Sequence, residues 1–393
     1  MGDAPPPPPQ DTEVKCPVDE TWLEGVLNKA CGGAGRIGGT QCWEIAEGKG
    51  FLSIITRIHI TWDKEKSKGL DLLPESVILK QPTTAKIEKL DMPEMTSMMD
   101  KNFVRKAHNT EVQSYKYFMQ KGQPPFPMAR LYDAQEDSES ATGHLLMKDL
   151  KGTAATHGFN EMFTVKQIEA LMIALADLQA YSIQNPGWRD IKNFEESFSR
   201  EFFDVFLVNT EEKIKLVREI FPAFSLKDEQ LEKLKVIVMA DVDEMFQFNY
   251  NTILAYGDLQ PNNIMWKTNP DGSLSDELAA LIDLQILHKG AAWEDPAYLP
   301  VMYLKPSDRR QHEDRLLKLY YDRLKSRLAD DSKMPCSFDD VKFQYRKIRK
   351  MFVFMYIGFI EAFLKIMKPT EEQKKDLFDS LMALVEDTGV DKL

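Results

Sequence analysis

The sequence predicts an α+β, two-lobed fold with a small β-rich N-terminal lobe and a large, mainly helical C-terminal lobe. Three observations carry this. Between residues 42 and 81, short runs rich in β-branched and aromatic residues alternate with turn residues. After residue 150 the apolar spacing changes to three and four. A strand–turn–strand unit then interrupts the helical pattern at residues 264–282. A chain of 393 residues suits one such fold, and an apolar share of 43% sustains its core.

The elements follow in order. Residues 1–17 read as a disordered, proline-rich tail in which Pro5 to Pro9 form polyproline II. Such a run is either a solvated linker or a weak ligand for an SH3- or WW-type domain. Asp19 caps a helix from Glu20 to Ala30 with Trp22, Leu23, Val26 and Leu27 on one face. Gly32, Gly33, Gly35, Gly38 and Gly39 follow without a P-loop Lys-Ser/Thr, so they read as a flexible connector. Cys42–Glu47, Ser53–Trp62 and Ser76–Gln81 read as strands, and a further strand runs from Gly143 to Leu150. These bounds give an N-lobe of residues 18–147 and a C-lobe of 148–393. Thr164 with Gln167 forms a capping box ahead of Ile168, Leu171, Met172, Leu175 and Leu178. Ser225 opens another helix. Two long helices, about Phe338–Met367 and Thr370–Glu386, complete the pattern, with a second capping box at Thr370 and Gln373.

Composition excludes some functions. A net charge of −12 argues against a nucleic-acid partner. Cys16, Cys31, Cys42 and Cys336 lack C-x-x-C spacing and read as reduced thiols of a cytoplasmic protein. The longest apolar run, Met351 to Ile360, is about half the ~20 residues a membrane span needs. The acidic, proline-rich start does not read as a signal peptide.

The chemistry concentrates at Tyr256-Gly257-Asp258, Asn263 and Asp283. Phosphoryl transfer from a magnesium–nucleotide needs a base near the acceptor hydroxyl and oxygen ligands for the metal. Ile264–Lys267 reads as a strand, Asn269–Gly272 as a turn and Leu278–Ile282 as the return strand. A hairpin of that length would let Asn263 and Asp283 face one cation, and a carboxylate plus a carboxamide oxygen suits Mg2+. A plain polar turn before a hairpin is the bland alternative. Gly48, Gly50 and Ser53 lie in a turn whose N–H groups can cover phosphates, although an ordinary hairpin turn gives the same pattern. Lys80 closes the apolar strand Val77-Ile78-Leu79, and Glu111, near the start of a helix, is its candidate partner.

At these residues the chain resembles small-molecule kinases related to choline kinases and aminoglycoside phosphotransferases. The resemblance is strongest to the ecdysteroid-kinase-like (CHK-like) branch, whose His-Gly-Asp-x-x-x-x-Asn loop precedes Ile-Asp-x-Gln. Here the second element is Ile282-Asp283-Leu284-Gln285. The resemblance implies a protein-kinase-like fold, Asp258 as catalytic base, and Asn263 and Asp283 as metal ligands. It also implies ATP contacts from Gly48, Gly50, Ser53, Lys80 and Glu111. Adenine would stack near Met147 and bond backbone groups of Lys148, Asp149 and Leu150. Asp295 would tie the following helix to the catalytic loop. Two departures stand out: Tyr256 replaces His, and Gln260 occupies a position often aromatic.

About a dozen residues separate Asp283 from Asp295, shorter than the activation segment with which protein kinases dock peptides. The implied acceptor is therefore a small-molecule alcohol. Tyr256 keeps a second reading open, that of a nucleotide-binding pseudokinase with a sensor or scaffold role.

Overall fold

Asp19 caps the first helix as expected, its carboxylate accepting from the backbone amides of Thr21 and Trp22. The computed structural model describes residues 11–45, 52–88, 99–158, 161–194, 207, 210–247, 252–367 and 369–390. Pro5–Pro9, Gly48 and Gly50 lie outside the described residues. The chain divides into two units. The first holds Met1–Gln123, Met128–Thr153 and Ile282–Gln285; the second holds Pro124–Pro127, Ala154–Leu281 and Ile286–Leu393. The first unit thus runs a few residues past the expected boundary at 147 and takes back Ile282–Gln285.

The first unit contains β1 (Thr12–Val14), α1 (Glu20–Cys31), β2 (Ile37–Glu44), β3 (Ser53–Trp62), β4 (Ser76–Pro82), α2 (Lys101–Phe118), β5 (Leu131–Gln135) and β6 (His144–Lys148). Its strands pair antiparallel in the order β1-β2-β3-β4-β6-β5. Along β4 the side chains alternate. Val77 and Leu79 bury against Leu23 and Leu27 of α1, which leaves Lys80 on the opposite face. Each buried leucine contributes about 2 kcal/mol.

Two sequence expectations are corrected here. Residues 12–14 are not tail but an edge strand, because β2 offers an unpaired backbone edge with Thr12 opposite Glu44. Gly38 and Gly39 are not connector either. They belong to β2, where β3 supplies the ladder partners and a register shift between Ile37 and Gly39 absorbs the glycines.

The second unit contains β7 (Ala154–Thr156), α3 (Val165–Gln184), α4 (Thr210–Ile220), α5 (Asp228–Gln247), β8 (Ile253–Ala255), β9 (Ile264–Thr268), β10 (Leu274–Leu281), β11 (His288–Gly290), α6 (Glu294–Tyr303), α7 (Pro306–Arg327), α8 (Phe338–Met367) and α9 (Glu371–Thr388). Both expected capping boxes form, at Thr164/Gln167 and Thr370/Gln373. The hairpin is also as expected: β9 pairs β10 from Thr268 opposite Leu274 to Ile264 opposite Leu281. Gly272 closes its turn at φ 86°. Leu231, Leu234 and Val238 of α5 pack with Phe352, Ile357 and Leu384 in the main helical core.

Three helices are also stapled by charge. Arg309 of α7, only 2% exposed, reaches Glu313 at 3.1 Å and Asp387 of α9 at 2.5 Å. Tyr345 and Arg349 of α8 bond the same Glu313 at 2.7 and 2.8 Å. Among the described residues no helix is long and apolar enough to cross a membrane.

Candidate active site

In the first unit, β4 and α2 bring Lys80 and Glu111 together as the sequence expects. Lys80 Nζ lies 2.6 Å from Glu111 Oε2. Glu111 sits in the middle of α2, not near its start, since Asp100 caps the helix by accepting from Phe103 N–H. The same ammonium lies 2.9 Å from Asp283 Oδ1, a link the sequence did not reveal. Burial opposes the charge on Lys80, but the Asp283 and Glu111 carboxylates outweigh it and raise its pKa. Burial dominates at Glu111, whose carboxyl is raised to about 7 despite the Lys80 charge, with Asp283 adding to the rise. Glu111 is wholly buried, which is why ionisation there is costly, and the Leu284 amide only partly opposes the rise.

Asp283 is the only non-glycine among the described residues with a left-handed backbone, at φ 66°. Asp tolerates this region better than most residues, at a cost of roughly 1 kcal/mol. Ser53, at the start of β3, is buried and hydrogen-bonded to Gln285.

The expected adenine contacts are partly engaged already. The Lys148 amide donates to Arg130 O at 2.8 Å, and the Leu150 carbonyl accepts from Thr153 N–H. The Asp149 carboxylate is held by Arg57, Ser76 and the Lys151 amide. Met147 is buried, whereas Lys148 is exposed, so its side chain points away as anticipated.

In the second unit the loop after β8 carries Asp258 and Asn263. Asn263 Nδ2 donates to Asp258 Oδ2 at 2.9 Å and to the Asp258 carbonyl at 3.2 Å. Asn262 donates to Asn263 Oδ1 at 3.2 Å. The loop is braced from α6. Asp295 accepts from the Tyr256 amide at 2.7 Å and the Gly257 amide at 3.0 Å, the tie the sequence reading assigned to it. Burial raises the Asp295 carboxyl to about 6, with those two amides opposing the rise. Tyr256 is wholly buried.

Sequence reasoning passed over His288. Its ring is buried, with Nδ1 2.9 Å from Ile286 O and Nε2 3.0 Å from Glu294 Oε2. The Ile286 carbonyl is an acceptor, and an ionised Glu294 beside the second nitrogen favours the protonated ring. Burial opposes that charge, but Glu294 outweighs it and raises the pKa. The ring packs against Gly257, whose φ is 84°; a Cβ there would meet the ring atoms at 3.0 Å. A cavity of about 510 Å³ lies between Lys305–Arg310 and Lys375–Glu386, and none of the loop residues lines it.

The family model described as DUF1679, "Uncharacterized oxidoreductase dhs-27", matches residues 25–388. The Caenorhabditis elegans protein named "Uncharacterized oxidoreductase dhs-27" is 24% identical over 336 residues. That match spans 82% of this chain but only 40% of the nematode relative. Among solved structures, choline kinase LicA from Streptococcus pneumoniae is similar at 11% identity and TM-score 0.44, covering 93% of this chain and 99% of that one. Plasmodium vivax ethanolamine kinase is similar at 12% identity and TM-score 0.41, covering 88% and 81%. The ecdysteroid-kinase-like label remains a resemblance of motifs; the matched family is the one described as DUF1679.

Proposed function

We propose that the chain, which belongs to the DUF1679 family, is an ATP- and magnesium-dependent phosphotransferase acting on a hydroxyl of a small molecule. The observation that carries this reading is the buried Lys80 ammonium fixed by Glu111 and Asp283. A cation fixed beside a carboxylate provides the two things a metal-bound polyphosphate needs, a positive charge and a metal-binding oxygen. In this reading Lys80 and Ser53 orient the phosphates. Asp258, whose carboxylate is oriented by Asn263, accepts the proton of the attacking hydroxyl. Its rate contribution is about 10²–10⁴-fold, typical of a positioned base.

Asn263 and Asp283 would hold the metal. Each side chain carries a hard oxygen of the kind magnesium takes. Bound there, the ion would neutralise phosphate charge. Tyr256 does not undermine the loop, because the Asp295 carboxylate braces it through backbone amides.

The test is a metabolite-extract screen with labelled ATP, using Asp258→Asn as control. A small molecule that gains phosphoryl with wild type and not with the variant supports the reading. ATP-dependent thermal stabilisation without any product would favour a pseudokinase. No thermal shift with ATP–magnesium would sink both the phosphotransferase and the pseudokinase readings.

A further inference from the structure

Gln285 ends the Ile282–Gln285 segment, and its side chain is buried in the first unit. One orientation of its carboxamide satisfies every neighbour. Nε2 then donates to Asp283 Oδ1 at 3.1 Å, while Oε1 accepts from Lys80 Nζ at 3.3 Å and from Ser53 Oγ at 3.2 Å. The opposite orientation keeps only the Ser53 bond and turns the amide oxygen towards acceptors. Asp283 Oδ1 therefore receives two donors, Lys80 and Gln285. No hydrogen bond from the described residues engages Oδ2, and the side chain is 18% exposed.

We propose that Gln285 is the positioning residue of Asp283. It pins one carboxylate oxygen, steadies a residue whose backbone is left-handed, and presents the other oxygen to a ligand. Ser53 anchors the far side of the carboxamide, so the start of β3 and the metal-binding carboxylate are set by one group. Left alone, the terminal torsion of a carboxylate is broad. Fixing it beforehand removes an ordering cost from binding. The inference rests on the phosphotransferase reading only for the ligand's identity, the divalent metal of a metal–nucleotide complex.

The experiment uses the full chain and Gln285→Met, close in shape but with neither donor nor acceptor. The first readout is acylation of Lys80, followed by mass spectrometry. Wild-type Lys80 is expected to label slowly, and Gln285→Met should raise its rate severalfold. The second is manganese-dependent ATP binding by calorimetry. Apparent metal affinity is expected to fall about 10–100-fold, the usual loss when a ligand's supporting partner is removed, with metal-free ATP binding unchanged. Ser53→Ala should raise Lys80 labelling to a smaller extent, and that readout, which does not depend on a Ser53–phosphate contact, decides the matter should Gln285→Met not fold. Wild-type labelling and wild-type metal affinity in folded variants would overturn the proposal. Should the wild-type chain show no metal-dependent ATP binding, the phosphotransferase reading fails while Lys80 labelling still judges Gln285.

Discussion

Lys80 Nζ lies 2.9 Å from Asp283 Oδ1, joining β4 to a residue 203 positions further along the chain. Both belong to the first unit, so a short segment following the hairpin completes the surroundings of the sheet's lysine.

Replacing that lysine should be costly. Lys80→Met leaves Glu111, whose side chain is 1% exposed, without its cation. With the cation gone the carboxyl keeps its proton, and the loss is that of an unmade buried hydrogen bond, about 1–3 kcal/mol. Urea unfolding should show this, and adding Glu111→Leu should recover a substantial part. A double variant no more stable than the single one would show that the pair is not coupled.

The Glu111 carboxyl gives stability a signed pH dependence. Its pKa rises from 4.5 in the ordinary group to about 7, chiefly through burial. The folded chain thus holds a proton that the unfolded chain releases at lower pH. This contribution is complete below about 4.5 and is lost as pH rises through about 7. Asp295, raised to about 6 by burial, acts with the same sign. Unfolding midpoints measured between about pH 5 and pH 8 should decline, and Glu111→Gln should flatten the decline without abolishing it.

Asp283→Asn separates fold from ligand. Asparagine also tolerates the left-handed backbone, and Lys80 retains Glu111. The variant should fold, with stability reduced by about 1–2 kcal/mol. Its metal-dependent ATP affinity, followed by calorimetry, should fall by more than the ~10–100-fold typical of losing a supporting contact. Undiminished affinity would remove Asp283 from the ligand set.

Gly257→Ala tests the loop from its other side. Alanine at φ 84° is strained, and its Cβ would stand 3.0 Å from both the His288 ring and Ile286 O. The change should cost at least ~1–2 kcal/mol. It should also lower turnover by displacing the adjacent Asp258. Thermal unfolding and product formation, measured together, distinguish this from a loop that tolerates the methyl.

Local signals made much of this legible in sequence. The Asn-Pro-Asp-Gly turn announced the β9–β10 hairpin, and Thr164 and Thr370 announced their helices through partners three residues on. Lys80 was legible because it closes an apolar strand, and Glu111 through its resemblance to a family pattern of Glu followed by Tyr four residues on. What escaped depends on distant partners. Gln285 meets Ser53 across 232 positions, and no periodicity reports such a meeting. His288 drew no reading from sequence, because its partners Gly257 and Glu294 meet it only in the fold. The glycines of β2 misled because their intrinsic freedom is overridden by the neighbouring strand's ladder.

The Arg309 guanidinium cannot shed its proton, and Asp387 supplies part of its neutralisation from α9. Detaching that helix would remove one of the two carboxylates that neutralise the buried guanidinium, leaving Glu313 alone. Its amide protons should therefore exchange with solvent only when the helical unit opens as a whole, making α9 a sentinel of global unfolding and not a fraying appendage.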